Sequence, residues 1–231
     1  MFSFLEKPQK KLYNDCKWGE AAVKLDKKGL LIVMSGPSGV GKGTVRKSLF
    51  ERTDHDMVFS VSMTTRAPRA GEVDGVDYYF VSKEEFEKRI QEGKFLEYAK
   101  FIDNYYGTPL DIVQEKLDAG EEVVLEIEVQ GAMQVRKKCP DAVFIFIAPP
   151  SMKSLYDRLL RRGTESEEVI KARYDKACKE VVMADFYDYI VVNDTVENAA
   201  DKILAIVRAE HAKLARCIDA YNDIIKDRKA K

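Results

Sequence analysis

Four glycines surround one lysine in the segment GPSGVGKGT, between residues 36 and 44. Glycine tolerates positive φ angles and leaves no side chain in the way, so successive backbone N–H groups of such a segment can turn inward around an anion. The lysine adds a charge that can extend along a chain of phosphates. The residues of this predicted phosphate-binding loop are Gly36, Pro37, Ser38, Gly39, Val40, Gly41, Lys42, Gly43 and Thr44.

The loop lies between an apolar run and a helix-compatible segment. LLIVMS, from Leu30 to Ser35, has no charge and several branched side chains, which favours a strand buried on both faces of a parallel sheet. TVRKSLFER predicts a helix whose N-terminal dipole would add to the phosphate site. Strand, loop, lysine and helix in this order are typical of a nucleoside triphosphate site rather than of an ordinary glycine-rich turn.

One position of the loop departs from the usual GxxxxGK[ST] spacing. Gly43 stands where Ser or Thr is usual, and the hydroxyl comes one residue later, at Thr44. A hydroxyl at the end of such a loop commonly ligates the Mg²⁺ that accompanies the nucleotide. Thr44 is therefore the candidate metal ligand, and the shift by one residue leaves direct coordination open.

Length and composition narrow the class of protein. A chain of 231 residues suits one α/β domain with inserted lobes. With 38 Lys and Arg against 39 Asp and Glu, no overall basic field draws it to nucleic acid or anionic lipid. No apolar run approaches the roughly 20 residues of a membrane span, and no signal-type segment opens the chain, so we expect a cytoplasmic protein. The cysteines form no CxxC pair, which argues against a zinc site; they are Cys16, Cys139, Cys178 and Cys217.

A second group of anion-binding residue types follows the first predicted helix. Arg66 and Arg69 lie three residues apart on a Pro-containing turn, a spacing that lets two guanidinium groups converge on one phosphate. The strand-like VDYYFVS then supplies Tyr78 and Tyr79. Two loop arginines are usually solvated charges, but their place between a phosphate loop and this strand favours a second phosphate pocket.

A pair of carboxylates follows later in the chain. VVLEIE predicts a second core strand, and its alternation places Glu126 and Glu128 on the same face at the strand's carboxyl end. Ligands collect at that end of the strands in open α/β sheets. The alternative is an acidic pair at the edge of the sheet with no ligand.

The remaining pattern predicts the elements around these groups. KEEFEKRIQEG predicts a helix, KFLEYAKF a strand, NYYGTP a turn, and TPLDIVQEKLDAG a helix that ends at Gly120. AVFIFIAPP and DYIVVNDT predict strands, and between them two helices interrupted at Gly163 have the character of a mobile lid. The last stretch predicts one long amphipathic helix, whose apolar face contains Ile203, Ile206, Val207 and Leu214.

Five motifs in a fixed order resemble the bacterial guanylate kinase family, in the nucleoside monophosphate kinase group, from residue 29 to about 212: GPSGVGKGT, SVSMTTRAPRAGEVDGVDYYFVS, KFLEYAKFIDNYYGTP, LEIEVQGA and RRGTESEEVIKAR. The resemblance implies an α/β P-loop kinase fold with a central parallel sheet flanked by helices, an inserted GMP-binding lobe and a lid. The implied divisions are a core at 29–61, 109–150 and 174–212, a lobe at 62–108, a lid at 151–173, an extension at 1–28 and a helical tail at 213–231.

The resemblance also implies roles for individual residues. The implied ligands of the GMP phosphate are Arg66, Arg69, Tyr78 and Tyr106. Guanine would be contacted by Ser62, Glu97 and Thr108, and the region beside the phosphates and metal would contain Glu126 and Glu128. Catalysis would fall to Lys42, Arg66 and the lid arginines Arg162 and Arg173, while Asn193 would lie near the adenine of ATP. The other lid-region arginines, Arg158 and Arg161, are interpreted as surface charges.

Glu97 has a chemical argument of its own. Guanine presents its N1–H and N2–H donors side by side, and one carboxylate can accept both. Adenine lacks this paired donor edge, so adenine would leave a buried carboxylate unsatisfied. A single glutamate on a half-buried strand is otherwise an ordinary surface carboxylate.

The implied activity is ATP-dependent phosphorylation of GMP, and of dGMP, to the diphosphate, with Mg²⁺ as cofactor and ATP and GMP as the partners, in purine nucleotide metabolism. The alternative is a non-catalytic guanylate-kinase-like module that binds proteins. Such modules degrade the phosphate loop, and the intact Gly39, Gly41, Lys42 and Thr44 favour the enzyme. A P-loop GTPase would need NKxD after a strand, which VVND does not match.

Overall fold

The computed structural model describes residues 29–161 and 166–229, which form nine strands and eight α-helices. The strands are β1 (Leu31–Ser35), β2 (Met57–Phe59), β3 (Met63–Thr64), β4 (Tyr79–Phe80), β5 (Phe95–Phe101), β6 (Asn104–Pro109), β7 (Glu122–Glu126), β8 (Val143–Ala148) and β9 (Tyr189–Val192). The helices are α1 (Lys42–Phe50), α2 (Lys83–Gln91), α3 (Leu110–Asp118), α4 (Val129–Lys138), α5 (Met152–Arg161), α6 (Glu167–Val181), α7 (Val196–His211) and α8 (Leu214–Lys229). A 3-10 helix, Val182–Phe186, follows α6.

The larger sheet is parallel and has the strand order β2-β7-β1-β8-β9. Every residue of β1 is buried, as the uncharged run predicts for a central strand. Met34 near the end of β1 pairs with Glu126 of β7 on one side and Ile145 of β8 on the other. The carboxyl ends of these strands therefore meet at one edge, where the glycine loop begins.

Apolar side chains cover both faces of this sheet. Ile32 and Met34 pack into one cluster with residues of α1, α5, α6 and α7, whereas Leu31 and Val33 pack into another with residues of α3 and α4. The alternation along β1 divides the two clusters. The expected α/β fold with a central parallel sheet flanked by helices is confirmed. No helix within the described ranges combines the length and the apolar character that a bilayer crossing requires.

The smaller sheet has the order β4-β3-β6-β5 and comes from the middle of the sequence. Its own core is small and consists of Met63, Phe86 and Phe95, with Phe86 and Phe95 stacked at 4.3 Å between ring centroids. This sheet lies within the range predicted for the inserted lobe. The boundaries of core, lobe and lid stay predictions, and the extension at 1–28 and the lid centre at 162–165 lie outside the described residues.

The turn predicted at NYYGTP is wrong, because these residues form β6 and pair antiparallel with β5. The chain reverses at Ile102 and Asp103, where Ile102 adopts a φ of 56°. Asn, Gly and Pro in the segment are typical of turns, but cross-strand pairing with KFLEYAKF outweighs that local preference.

The prediction of a single C-terminal helix is also wrong, because α7 ends at His211 and α8 begins at Leu214. Glu210, which is 1% exposed, forms a salt bridge with Lys213 at 2.6 Å. This ion pair stabilises the connection between α7 and α8. Ile203 and Val207 are buried as predicted, whereas Leu214 is 71% exposed. The sequence around the break contains no Gly or Pro to reveal it.

Candidate active site

The glycine loop joins β1 to α1 and contains backbone that other residues would strain. Gly39 and Gly41 have φ angles of 86° and 95°. A Cβ on Gly39 would lie 2.6 Å from Leu159 Cδ2, and one on Gly41 would lie 2.9 Å from Asn193 Nδ2. The positive φ angles therefore favour glycine at both positions, and a Cβ at either one would also force a neighbouring side chain to shift.

Lys42 lies at the first position of α1, inside the turn of the loop. Its Nζ donates to the carbonyl oxygens of Gly36 at 2.6 Å and Pro37 at 3.3 Å. Burial lowers the pKa of the ammonium, and three nearby carboxylates act in the opposite direction. These carboxylates belong to Glu126, Glu180 and Glu128.

A cavity of about 460 Å³ opens above the loop. Its lining combines loop backbone, one ammonium, one guanidinium and three carboxylates. The lining residues are Gly36, Ser38, Gly39, Gly41, Lys42, Gly43, Thr44, Glu126, Ile127, Glu128, Arg173 and Glu180. The predicted loop and both predicted carboxylates thus meet in one cavity.

The two carboxylates occupy different structural positions. β7 ends at Glu126, which forms a salt bridge with Arg46 Nε at 2.8 Å. Glu128 is the N-cap residue of α4 and lies 2.9 Å from Lys176 Nζ. The expectation that both belong to the strand needs this correction, although the two side chains do line the same cavity.

Thr44 is exposed and lines the cavity beside these carboxylates. A Cβ on Gly43 would lie 3.6 Å from Glu126 Oε1, which is ordinary van der Waals contact. Steric space therefore does not demand glycine at the position where Ser or Thr is usual.

Helix α6 contacts the loop at Ser38 through two side chains. Arg173 donates to Ser38 Oγ from Nε at 3.3 Å and from Nη2 at 3.1 Å. Glu180 accepts the Ser38 backbone N–H at 3.1 Å. The predicted lid arginine Arg173 is thus at the loop, whereas Arg162 lies outside the described residues. Sequence reasoning missed Glu180, which is 9% exposed at the far end of the same helix.

Arg158 braces the loop from α5, so its interpretation as a surface charge is wrong. Its guanidinium donates to Val40 O at 3.0 Å and to Asn193 O at 2.9 Å. Asn193 is 3% exposed and donates from Nδ2 to the same Val40 carbonyl at 2.8 Å. Arg158 and Asn193 therefore both fix the loop through the Val40 carbonyl. Contact of Asn193 with adenine stays a prediction.

Arg66 in the smaller sheet region is held by a glutamate that sequence reasoning missed. Its two terminal nitrogens bind the two carboxylate oxygens of Glu72, each at 2.9 Å. Glu72 also accepts the backbone N–H of Arg69 at 2.7 Å. These hydrogen bonds lower the pKa of Glu72, with a further contribution from the charge of Arg69. The turn that carries both arginines is therefore closed around one carboxylate.

Two tyrosines form walls beside Arg66. The rings of Tyr78 and Tyr106 meet edge to face with centroids 6.1 Å apart, and the Arg66 guanidinium carbon lies 5.4 Å from the Tyr78 centroid. Burial raises the pKa of Tyr78, so its phenol stays a donor at neutral pH. Three of the four predicted phosphate ligands thus lie together, and the fourth, Arg69, is on the same turn.

Glu97 and Thr108 form a buried cross-strand pair on β5 and β6. Thr108 Oγ1 donates to Glu97 Oε1 at 2.7 Å, and Glu97 is only 7% exposed. Burial raises the pKa of the carboxyl, with the negative charge of Glu128 adding to the effect. The predicted guanine contact Ser62 precedes β3, and its carbonyl accepts the Tyr79 N–H at 2.9 Å.

The two groups of residues lie within electrostatic reach of one another. Glu128 of the loop cavity acts on the pKa of Glu97, and Glu126 acts on that of Tyr78. A glycine loop with a lysine follows the central parallel strand, and a smaller sheet with arginine, tyrosine and a buried carboxylate lies beside it. This arrangement is that of a P-loop kinase.

Comparisons with known proteins identify the family within this class. The guanylate kinase family model matches residues 28–210. The guanylate kinase of Onion yellows phytoplasma is 62% identical over 206 residues, covering 89% of this chain and 97% of that protein. The guanylate kinase of Streptococcus thermophilus is 55% identical over 205 residues, covering 89% and 98%. The crystal structure of guanylate kinase from Anaplasma phagocytophilum matches with a TM-score of 0.66 and 37% identity, over 83% of this chain and 90% of that chain.

The chain belongs to the guanylate kinase family. The resemblance noted in the sequence is thereby confirmed, together with the kinase class and the P-loop kinase fold. Nothing in these comparisons favours the non-catalytic module.

Proposed function

We propose that this chain transfers the γ-phosphoryl group of ATP to GMP, and to dGMP, producing ADP and the nucleoside diphosphate. ATP binds at the glycine loop, and the acceptor nucleotide binds at the smaller sheet. The observation that carries the proposal is the buried Glu97–Thr108 pair, which lies within electrostatic reach of Glu128 in the loop cavity. A phosphate loop alone fits many nucleotides, but the buried carboxylate fits the paired donors of guanine.

Glu97 reads the acceptor base in this proposal. Thr108 already donates to Oε1 of the carboxylate, and each carboxylate oxygen can accept more than one hydrogen bond. Guanine supplies two donors from N1–H and N2–H, which satisfy a carboxylate that burial otherwise penalises. Adenine would place an unprotonated ring nitrogen against it, so AMP is a poor acceptor.

Arg66 and the tyrosines hold the acceptor phosphate. Glu72 and the Ala67 carbonyl accept three hydrogen bonds from the Arg66 guanidinium. A guanidinium has five N–H donors, so roughly two remain for Tyr106 and a phosphate oxygen. The bidentate pair with Glu72 fixes the plane of the guanidinium before the nucleotide arrives, which reduces the ordering cost of binding.

Phosphoryl transfer itself needs no protein base. A phosphate monoester has a second pKa near 6, so the attacking oxygen of GMP is largely deprotonated at neutral pH. That oxygen forms a bond to the γ-phosphorus while the bond from phosphorus to the bridging oxygen of ADP breaks. Lys42 and Arg173 compensate charge on the transferring group, and Arg162 is the second lid arginine expected to do so.

The loop cavity also suits a divalent metal ion. Thr44 offers a hydroxyl, and Glu126 and Glu128 offer carboxylates, an all-oxygen set that Mg²⁺ prefers. Bound with ATP, Mg²⁺ would neutralise phosphate charge. Arg46 and Lys176 already form ion pairs with the two carboxylates, at 2.8 Å and 2.9 Å, and these pairs fix the positions of the carboxylates at the cavity. As part of the same proposal, the chain acts in the cytoplasm and serves purine nucleotide metabolism.

A coupled assay of ADP release with ATP and each of GMP, AMP, dTMP and CMP tests the proposal. We expect turnover with GMP to exceed turnover with AMP by at least about a hundredfold, because adenine gives the Glu97 carboxylate neither of the two ring-edge donors that guanine supplies. Absence of GMP-dependent turnover would contradict the activity. Faster turnover with AMP than with GMP would contradict only the proposed role of Glu97 in selecting the base.

A further inference from the structure

Helix α4 presents three residues toward β5, the edge strand of the smaller sheet. These residues are Gly131, Gln134 and Lys138, at spacings of three and four, so they form one stripe on the helix. No residue of the stripe belongs to the predicted site. Yet β5 carries Glu97, the carboxylate proposed to read guanine, so the stripe borders the base pocket.

Gln134 pairs with the backbone of the residue that follows Glu97. Its Oε1 accepts the Tyr98 N–H at 3.2 Å, and its Nε2 donates to the Tyr98 carbonyl at 3.0 Å. An edge strand leaves such groups without a strand partner, and the side-chain amide supplies both the donor and the acceptor that a neighbouring strand would. The peptide groups next to Glu97 are therefore fixed to α4.

The other two residues of the stripe act on the same strand. Lys138 Nζ donates to the Phe95 carbonyl at 2.6 Å, two residues before Glu97. Gly131 lies directly against the carboxylate, because a Cβ there would be 2.6 Å from Glu97 Oε2. The backbone is thus held on both sides of Glu97, and the carboxylate rests in the space that Gly131 leaves.

The same helix starts at the phosphate end of the site. Glu128 is the N-cap residue of α4 and lines the loop cavity, and Gly131 follows it within one turn. We propose that Gln134 is a positioning residue for base recognition, which fixes Glu97 relative to the loop cavity through the backbone of β5, while Gly131 provides the space for the carboxylate. This inference rests on the proposed function, in which Glu97 accepts the guanine donors.

The pair GMP and IMP isolates this effect. Hypoxanthine keeps N1–H but lacks the 2-amino group, so GMP offers the carboxylate two donors and IMP offers one. Gln134→Met removes both hydrogen bonds and preserves side-chain length. We expect the ratio of kcat/KM for GMP to that for IMP to fall about tenfold, the effect of losing one well-placed hydrogen bond, while KM for ATP stays unchanged.

Gly131→Ala provides a second variant that acts on the carboxylate directly. Alanine favours a helix, so the variant should fold, but its Cβ displaces Glu97 Oε2. We expect the same fall in the GMP to IMP ratio. Gln114→Met is the matched control, because Gln114 is exposed on α3 and its amide donates to Asp118 of the same helix. It should leave both the ratio and KM for ATP as in the wild type.

Glu97→Gln separates failure of the inference from failure of the proposed function. If Glu97→Gln leaves the GMP to IMP ratio unchanged, Glu97 does not read the base and the premise of the inference fails, whereas the proposed phosphotransfer itself fails only if the wild type shows no GMP-dependent turnover. If Glu97→Gln lowers the ratio but Gln134→Met and Gly131→Ala do not, the positioning role alone is overturned. Equal losses with GMP and IMP in Gln134→Met would also overturn it, since they would indicate a general structural effect.

Discussion

The two pockets of this guanylate kinase family member are built in different ways. The loop pocket is built on the backbone of nine consecutive residues, whose shape depends on glycine φ angles and on carbonyl contacts to Lys42, and β7, α4 and α6 add charged side chains to it. The proposed acceptor pocket consists of side chains from β5, β6 and the segment between β3 and β4, and Arg66 in it is already paired with Glu72. In the proposed function, phosphate binding at the loop therefore depends mainly on local backbone, whereas base recognition depends on how the smaller sheet is positioned.

The difference extends to packing. The parallel sheet lies between two large apolar clusters, whereas the smaller sheet has only three buried residues in its own core. A small core contributes little stability by itself, so contacts from outside fix the position of its strands. The side chains of α4 that bind the β5 backbone supply such contacts. We therefore expect changes at the loop to reduce turnover with every acceptor, and changes at the smaller sheet to alter acceptor choice.

The largest expected effect is at Lys42. Lys42→Met removes the charge that compensates the transferring phosphoryl group, and we expect kcat with GMP to fall by about 10²- to 10³-fold. The coupled ADP assay measures it. Lys47→Met is the control, because Lys47 is on the same helix with a 76% exposed side chain. A loss confined to one acceptor would show that the loop is not the common donor site.

A smaller effect is expected at Glu97. Glu97→Gln keeps the shape but replaces one acceptor oxygen with an NH₂ group that opposes a guanine donor. We expect kcat/KM for GMP to fall about a hundredfold while KM for ATP is unchanged. Parallel loss of ATP affinity would indicate that the two pockets are not separate.

The same variant should be more stable than the wild type at neutral pH. Burial raises the pKa of Glu97 above its ordinary value of 4.5, so protonation favours the folded state. That contribution is present below the ordinary value and is lost as the pH rises through the raised pKa. Ionising the buried carboxylate, or keeping it protonated above its ordinary pKa, costs the wild type stability as the pH rises, and Gln removes this cost, so we expect a gain of about 1 kcal/mol in the free energy of unfolding at neutral pH. Urea unfolding should show this gain shrinking toward pH 4.5, and a gain independent of pH would contradict the ionisation argument.

The smallest expected effect concerns the brace behind the loop. Arg158→Met removes hydrogen bonds to the Val40 and Asn193 carbonyls, and we expect the free energy of unfolding to fall by about 1 kcal/mol. Arg161→Met, at an exposed position of the same helix, serves as control. If the two variants have equal free energies of unfolding in urea, Arg158 does not stabilise the loop and is an ordinary surface charge.

Local patterns in the sequence predicted the order of strand, loop and helix around the glycine loop. An uncharged run, closely spaced glycines and a helix start lie next to each other, so each is read without knowledge of the fold. Gly39 and Gly41 indeed adopt positive φ angles, and Lys42 lies inside the turn. The loop geometry does not explain why Gly43 takes the usual place of Ser or Thr, because a Cβ on Gly43 would meet only ordinary van der Waals contact.

Nonlocal pairing explains what sequence reasoning missed. NYYGTP becomes a strand only because β5 pairs with it, and Glu72 matters because the turn folds it onto Arg66. Arg158 and Gln134 resemble surface residues until their backbone partners, distant in sequence, are known. The acceptor pocket was predicted through family resemblance, since no local pattern joins residues 62 to 108 into one site.

The central claim is that the chain has two separable nucleotide pockets, and equilibrium binding tests it most directly. Calorimetry should compare GMP and a non-hydrolysable ATP analogue on Lys42→Met and Arg66→Met. We expect Lys42→Met to keep GMP affinity within about twofold and to lose affinity for the ATP analogue. Arg66→Met should show the reverse, with GMP affinity reduced at least about tenfold. Loss of both ligands in either variant would contradict the account.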